Sequence, residues 1–427
     1  MGVLIKNGRV VDPSQSLDMV SDIYVQGDRV KEISERIDTP RKSDTVIDAS
    51  GQIVAPGLVD IHVHLREPGY EHKETIRTGC LAAAAGGFTS IVCMPNTNPI
   101  NDNASVTEYI LLKARTEGIV NVFPIGAITK GEKGAELADI GEMCEAGCVA
   151  ISDDGMPVTD SGLMRKAMEY VRPFGIPVIT HAEDIGLSAG GVMNEGFVST
   201  ELGLRGIPAA SEEVGVVRDI ILCELTGTPL HICHVSTKGS VRLVREAKKR
   251  GAKVTAEATP HHFTLTDKLV YGYNTDAKMN PPLRTQEDVD AILEGIADGT
   301  IDVIATDHAP HSQDEKNVEF DLAPFGIVGL ETALSLSLEL VEKGIITLEE
   351  MIKKLTVAPS EIVGIERGTL VPGSIADLVV FDPGMSRTVN PEEFFSKSRN
   401  TPFSGWELKG VVSSTIVSGK VVFSRKN

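Results

Sequence analysis

The chain has 427 residues, 41% hydrophobic and 24% charged, with a formal net charge of −19 at pH 7. That is an ordinary soluble globular composition with ample material for a large core, and its acidity argues against a nucleic-acid-binding face or a role on anionic lipid, which both need clustered Lys and Arg. No apolar run approaches the ~20 residues of a membrane span, the start does not read as a signal peptide, and six scattered Cys (80, 93, 144, 148, 223, 233) without a C-x-x-C pattern predict buried free thiols in a reducing, cytoplasmic setting.

The first 52 residues read as short strands. Runs 3–5 and 9–11 flank Asn7-Gly8, and runs 22–26 and 30–33 flank Gly27-Asp28; both are hairpin signals. From residue 53 the texture changes. Eight apolar runs, each ending in polar residues, occupy 57–64, 89–96, 121–129, 148–154, 177–183, 230–236, 253–261 and 302–308. Between them lie segments with helical periodicity, such as 105–118, 161–175, 238–251 and 285–299, each closed by Gly. Strands alternating with helices imply parallel pairing, and eight such units over ~250 residues imply an α/β fold of the closed (β/α)8, TIM-barrel type. The segment after Glu183 is longer than a standard connection and predicts an insertion. The final stretch is again β-like: 378–381 is a β-branched run, and 414–417 and 420–423 flank Ser418-Gly419. The expected organisation is a barrel over 53–365 and a small β domain formed jointly by 1–52 and 366–427.

Active sites of such barrels are built at the C-terminal ends of the strands, and the polar residues of this chain collect there. Seven of the ten His (62, 64, 181, 231, 234, 308 and 311) lie within or just after a predicted strand end, and His261 and His262 end a further run. His62 and His64, two apart on the first strand, face the same side. His181, His234 and Asp307 end later strands, and Asp153 or Asp154 ends the run 148–154. Imidazoles combined with carboxylates suit zinc, with manganese or cobalt as alternatives. The donors are too many for one tetrahedral ion, so two divalent ions are expected, one generating the nucleophile at neutral pH and the other polarising a carbonyl. Cys233, next to His234 on its strand, is expected to point away from the ligand face.

The motifs DIHVHLREPG (60–69), MPNT (94–97), SDDG (152–155), THAED (180–184), CHVS (233–236), PHH (260–262), NPPLR (280–284) and TDHAPH (306–311) follow one another along the chain. Together they resemble the dihydroorotases, metal-dependent barrels of the amidohydrolase superfamily. The resemblance implies reversible cyclisation of N-carbamoyl-L-aspartate to L-dihydroorotate in pyrimidine biosynthesis. It assigns His62, His64 and Asp307 to one metal and His181 and His234 to the other. Many relatives bridge the two ions with a carbamylated Lys, but 148–155 contains no Lys. The chain resembles instead the long-chain bacterial type, in which the second Asp bridges; this selects Asp154, with Asp153 as the fallback. Asp307 would also carry a proton from the nucleophile to the leaving nitrogen.

Arg66 suits the substrate's α-carboxylate as a bidentate fork. Asn96 and His311 resemble further carboxylate contacts, and Asn280, Phe325 and Gly326, with His64, complete the implied substrate-binding set. His231, His261, His262, His308 and Asp60 read as orienting or structural residues. The polar segment 311–326 reads either as a mobile flap or as a static surface excursion. The resemblance also implies a homodimer and leaves association with aspartate transcarbamoylase open. Two other readings compete. A hydantoinase or allantoinase would not need Arg66, Asn96 and His311 as a carboxylate-binding trio. A non-catalytic scaffold for aspartate transcarbamoylase typically lacks several metal-site His, whereas here every expected ligand position is filled.

Overall fold

The structure, a computed structural model, describes residues 2–38 and 44–425. Both ends of the chain enter one eight-stranded sheet. Its strands run in the order Lys420–Ser424, Glu407–Val417, Leu378–Thr388, Ile53–Pro56, Gly2–Asp12, Leu17–Gln26 and Arg29–Ser34, with Thr45–Asp48 also pairing with Gly2–Asp12. Ile53–Pro56 is the seam: it lies antiparallel to Leu378–Thr388 and parallel to Gly2–Asp12. Val10, Ile23, Val25, Val54, Val380 and Ile416 pack together on this sheet. The turns at Gly27-Asp28 and Ser418-Gly419 are tight hairpins, as expected, and φ is positive at both Ser418 and Gly419.

Asn7-Gly8 is not a turn. Gly2–Asp12 runs through it as one strand, with a bulge opposite Leu17–Gln26 between Ile5 and Gly8. Asn7 takes a left-handed backbone (φ 62), and its N–H donates to Asp22 Oδ1 at 2.9 Å. Residues that tolerate positive φ serve a bulge as readily as a hairpin.

The middle of the chain alternates strands and helices, and its strands are parallel. Leu58–Val63, Phe88–Cys93 and Asn121–Pro124 form one sheet; Val178–Thr180, Leu230–Ile232, Val254–Ala258 and Val303–Ile304 form another. Isolated parallel bridges join Gly126 to Ile151, Ile151 to Val178, and Val63 to His308. The run 148–154 therefore supplies one bridging residue rather than a strand. Beyond it the Asp153 carboxylate accepts the Ile128 and Thr129 amides at 2.7 and 3.0 Å, so those groups pair with a side chain instead of a ladder.

The other strands are shorter than the apolar runs that predicted them. The regular strands at 230–236 and 302–308 end at Ile232 and Ile304. One more ladder bond follows each, from Cys233 N–H to Thr180 O and from Ala305 N–H to Ala258 O, before the chain turns at the left-handed His234 and Asp307. Helices Ala104–Glu117, Ser161–Val171, Lys238–Lys249 and Gln286–Ala297 occupy the predicted helical segments. The insertion after Glu183 consists of two short helices, Ile185–Ser188 and Phe197–Leu202, and the strand pair Met193–Asn194 and Gly206–Ile207, before the long helix Ala209–Thr226.

Apolar side chains form two layers. An inner cluster includes Val59, Ile61, Val92, Ile125, Ile179, Val303 and Ala305. An outer one, including Leu58, Phe88, Met168, Ile220, Val244 and Ile292, cements helices to strands. All six Cys are free. No helix among the described residues is long and apolar enough to cross a membrane.

Candidate active site

The backbone around the first strand explains how two His reach the site. The pairing of Leu58–Val63 with Phe88–Cys93 slips between Asp60 and Val63. Before the slip, Val59 and Ile61 belong to the inner cluster; after it, Val63 joins the outer cluster, and His62 and His64 turn inward toward Asp307. A one-residue slip exchanges the two faces of a strand. Arg66 (φ 61), His234 (φ 30) and Asp307 (φ 46) have left-handed backbones. That conformation costs a non-Gly residue about 1 kcal/mol or more, and such strain collects where side chains must be aimed.

Two groups of three side chains form on this framework. His64 Nε2 lies 3.0 Å and His62 Nε2 3.4 Å from Asp307 Oδ1. His181 Nδ1 lies 2.9 Å from His234 Nε2 and 3.8 Å from Asp154 Oδ1. Asp154 faces both groups, with Oδ1 3.6 Å from His62 Nε2 and Oδ2 3.5 Å from His64 Nε2. Within each trio (His62, His64, Asp307; Asp154, His181, His234) the donor atoms all lie within 4.8 Å of one another. His62 Nε2 and Asp154 Oδ1 are buried without a hydrogen-bond partner. His62 Nε2, whose ring partner Nδ1 is engaged by Glu257, faces Asp154 Oδ1, and this buried N/O donor set fits a divalent metal.

The expectation for Cys233 fails. A metal-capable group of His62, Asp154 and Cys233 also lies within 4.8 Å. Alternation still holds at 233: Ile232 packs in the outer cluster, Cys233 in the inner one, and the Cys233 N–H donates to Thr180 O at 3.0 Å. It is His234, with its left-handed backbone, that departs from alternation and enters the site beside Cys233.

Two carboxylates that the sequence reading missed hold the imidazoles. Glu257, 0% exposed, accepts from His62 Nδ1 at 2.6 Å, from the His234 backbone N–H at 3.1 Å and from His231 Nε2 at 3.0 Å. Glu183 Oε2 lies 2.9 Å from His181 Nε2 and accepts from Asn280 Nδ2 at 3.1 Å. The signal for Glu257 was a lone acid among the small residues of TAEA on a buried strand. Asp60 orients as expected, accepting the His62 and Thr306 amides. Burial raises the acids of the site, but the imidazoles of His62, His64 and their neighbours outweigh it and hold Asp154 and Asp307 well below the ordinary carboxylate range. Burial and the nearby His181 and His62 lower His234 to about 3.

These groups open into a cavity of about 330 Å³ lined by His64, Arg66, Asn96, Asp154, His181, His234, Asn280, Asp307, His311 and Phe325. Gly326 lies behind the lining: with φ 154, a Cβ there would come 2.5 Å from Ala309 O and 2.7 Å from His311 Cδ2. Arg66 Nε donates to Pro310 O at 3.2 Å, and its Nη2 lies 3.3 Å from His311 Nε2. Burial, with the charges of Arg66 and Lys73 beside it, lowers His311 to about 2, so its ring is neutral. Asn96 Oδ1 is 2.9 Å from His64 Nδ1, which also makes Asn96 an orienter of that ring. A larger cavity of about 750 Å³, lined by Pro177, Leu230, Val254 and Asp302, opens at the opposite strand ends and has no His in its lining.

A family model described as dihydro-orotase-like matches residues 51–240. Dihydroorotases from Geobacter metallireducens and Geobacter sulfurreducens are 60% and 59% identical, each over 425 residues and 100% of both chains. The dihydroorotase of Pelotomaculum thermopropionicum is 57% identical over 99% of this chain and 98% of its own. Among solved structures, L-hydantoinase (dihydropyrimidinase) from Arthrobacter aurescens superposes with a TM-score of 0.88 at 26% identity, covering 100% of this chain and 96% of that one. Dihydropyrimidinase from Brevibacillus agri gives 0.86 at 24% identity with the same coverage, which shows the shared fold. With whole-length identity of this order to several dihydroorotases, the chain belongs to the dihydroorotase family.

Proposed function

We propose that this protein is a cyclic amidohydrolase that interconverts N-carbamoyl-L-aspartate and L-dihydroorotate for pyrimidine biosynthesis, with two divalent metal ions, zinc in the native state. The observation that carries this is the pair of buried trios meeting at Asp154 beside a cavity with a guanidinium on its wall. His62, His64 and Asp307 would hold one ion, His181 and His234 the other, and Asp154 would bridge them. When bound, the ions supply Lewis acidity, making a water nucleophilic at neutral pH and polarising the scissile carbonyl.

The chain's own residues do the rest. Arg66, with Asn96 and His311, binds the α-carboxylate. Asn280 meets the ring amide or ureido group, and Phe325 and Gly326 offer backbone contacts. Asp307, ionised and beside His64, takes the proton of the attacking water and delivers it to the ring nitrogen as the amide bond breaks; ring closure reverses the transfer. Its low proton affinity suits brief carriage over a short path.

The fold reading is a closed (β/α)8 barrel over 53–365 with a β domain from 1–52 and 366–427. The three isolated bridges support closure, and Ile53–Pro56 is the seam between the two units. Homodimerisation, association with aspartate transcarbamoylase and a cytoplasmic location rest on the family resemblance.

The test is turnover of L-dihydroorotate against hydantoin and allantoin, with metal analysis of the purified protein. Preference for dihydroorotate with close to two ions per chain supports the reading. Preference for a neutral ring overturns the substrate, and fewer than about one ion per chain favours the scaffold.

A further inference from the structure

Lys278 and Lys316 stand behind the part of the cavity wall formed by Pro324 and Phe325. They are 2% and 5% exposed. Their ammonium groups are hydrogen-bonded to carbonyl oxygens: Lys278 Nζ donates to Phe320 O at 2.7 Å and Asp321 O at 3.0 Å, and Lys316 Nζ to Pro324 O at 2.9 Å and Lys278 O at 3.5 Å. Among the described residues neither forms an ion pair. The acids that influence them act from farther away, Asp321 on Lys278 and Asp276 and Glu315 on Lys316. Glu315 is already paired with Lys73 at 2.9 Å. Burial pushes Lys278 down to about 8 and Lys316 to about 7.

At neutral pH Lys278 is then mostly charged and Lys316 partly so. Carbonyl oxygens and, for Lys278, the Phe320 and Phe325 ring faces offset part of the cost of burying this charge, but among the described residues no carboxylate pairs with it. Their position supplies a reason. Lys278 Nζ lies 4.8 Å from the centroid of the Phe325 ring, which lines the cavity. The Lys278 carbonyl accepts the Gly326 amide at 2.9 Å, and two residues on, Asn280 faces the cavity. Arg66 and Lys73, the latter 3.3 Å from His311 Nδ1, extend the same cationic side. In a chain of net charge −19, four basic groups gather on this side of one small cavity, and Glu315 pairs with only one of them, Lys73.

We propose that Lys278 and Lys316 are specificity-determining residues whose uncompensated charge, acting through the Phe325 wall, favours a carboxylate-bearing ring and its dicarboxylate product over neutral cyclic amides. The inference rests on the proposed substrate. It adds a basis for discrimination beyond direct carboxylate contact, because the potential reaches the whole cavity through a low-dielectric wall.

The experiment replaces each lysine in the full-length metal-loaded enzyme by Met, which fills the space, and by Gln, which keeps N–H donors for the same carbonyls. Two quantities are read: kcat/KM for L-dihydroorotate and the inhibition constant of neutral 5,6-dihydrouracil. Loss of charge should lower kcat/KM for dihydroorotate ~10-fold or more in both the Met and the Gln variants, and move the dihydrouracil constant less than ~2-fold. The proposal is overturned if both ligands weaken together, if Gln restores what Met loses, or if neither changes; the first two outcomes reduce the lysines to loop clamps. Should the Met variants not fold, the Gln variants decide alone. Failure of the wild type to turn over dihydroorotate would instead strike the substrate assignment.

Discussion

Glu257→Gln separates orientation of the ligands from ligation itself. In the wild type one oxygen accepts from His62 Nδ1 at 2.6 Å and from the His234 amide at 3.1 Å, and the other from His231 at 3.0 Å. Glutamine has the same shape, so its carbonyl can keep the first two bonds, while its amide faces a His231 ring that must change tautomer. The loss is then one of charge. A hydrogen bond to an ionised group is worth about 1.5–3 kcal/mol against about 0.5–1.5 for a neutral pair, so two weakened bonds sum to ~2 kcal/mol, or ~30-fold at 1.4 kcal/mol per decade. Outer-shell partners of metal-binding His typically affect affinity by 10–100-fold. Metal affinity, measured by competition with a chelator of known strength, should fall ~10–100-fold in Glu257→Gln, with kcat at saturating metal reduced less than ~10-fold. A well-folded variant whose metal affinity stays within about twofold of wild type would refute the idea that this carboxylate tensions the ligand set.

Asp154→Asn should strip metal and reduce activity more than ~100-fold, whereas Asp153→Asn should keep its metal and lower the melting temperature, since Asp153 accepts the Ile128 and Thr129 amides; metal analysis beside thermal melts would expose a reversed assignment. Glu132 is 6% exposed with an unpartnered Oε1, and burial, then the charges of Asp153 and Asp154, raise it to about 9. Its native state therefore holds the proton more tightly than the unfolded chain, so stability is full below about pH 4.5 and declines as the pH climbs toward 9. Glu132→Gln should melt like wild type near pH 4 and a few degrees higher at pH 8, where linkage over ~3.5 pH units at about 1.36 kcal/mol each comes to about 5 kcal/mol; a pH-independent difference would count against this account.

Much of the site was legible because metal chemistry restricts residue type. His62, His64, His181, His234 and Asp307 were readable as polar residues ending apolar runs, and they meet as expected. What escaped was local backbone behaviour. The inward turn of His62 and His64 depends on a slip in pairing after Asp60 that simple alternation does not contain. Cys233 was misplaced because His234 was taken to obey the alternation, whereas its left-handed backbone brings it to the same side as Cys233. Asn7-Gly8 was read as a hairpin because bulges and tight turns select the same residues. Glu257 and the two buried lysines were invisible because their meaning lies in what surrounds them: three donors converge on the acid, and among the described residues no carboxylate forms an ion pair with the bases.

The irregular stretch around Ile151 ties these points together. An aspartate is a shorter arm than the carbamylated lysine used by many relatives, so in the proposed bridging role its backbone must come closer to the metals. A residue locked in a continuous ladder could not do that without disturbing both neighbouring strands. Here only Ile151 bridges, to Gly126 on one side and Val178 on the other, and the ladder has ended before Asp154. Asp153 pins the loop through the Ile128 and Thr129 amides, leaving Asp154 to lean in, with its oxygens 3.5–3.8 Å from His62, His64 and His181. The two adjacent acids thus divide the work. One replaces missing ladder hydrogen bonds and the other reaches both imidazole pairs, so loss of regular strand at this position is a condition for a short carboxylate to span the site rather than a defect of the fold.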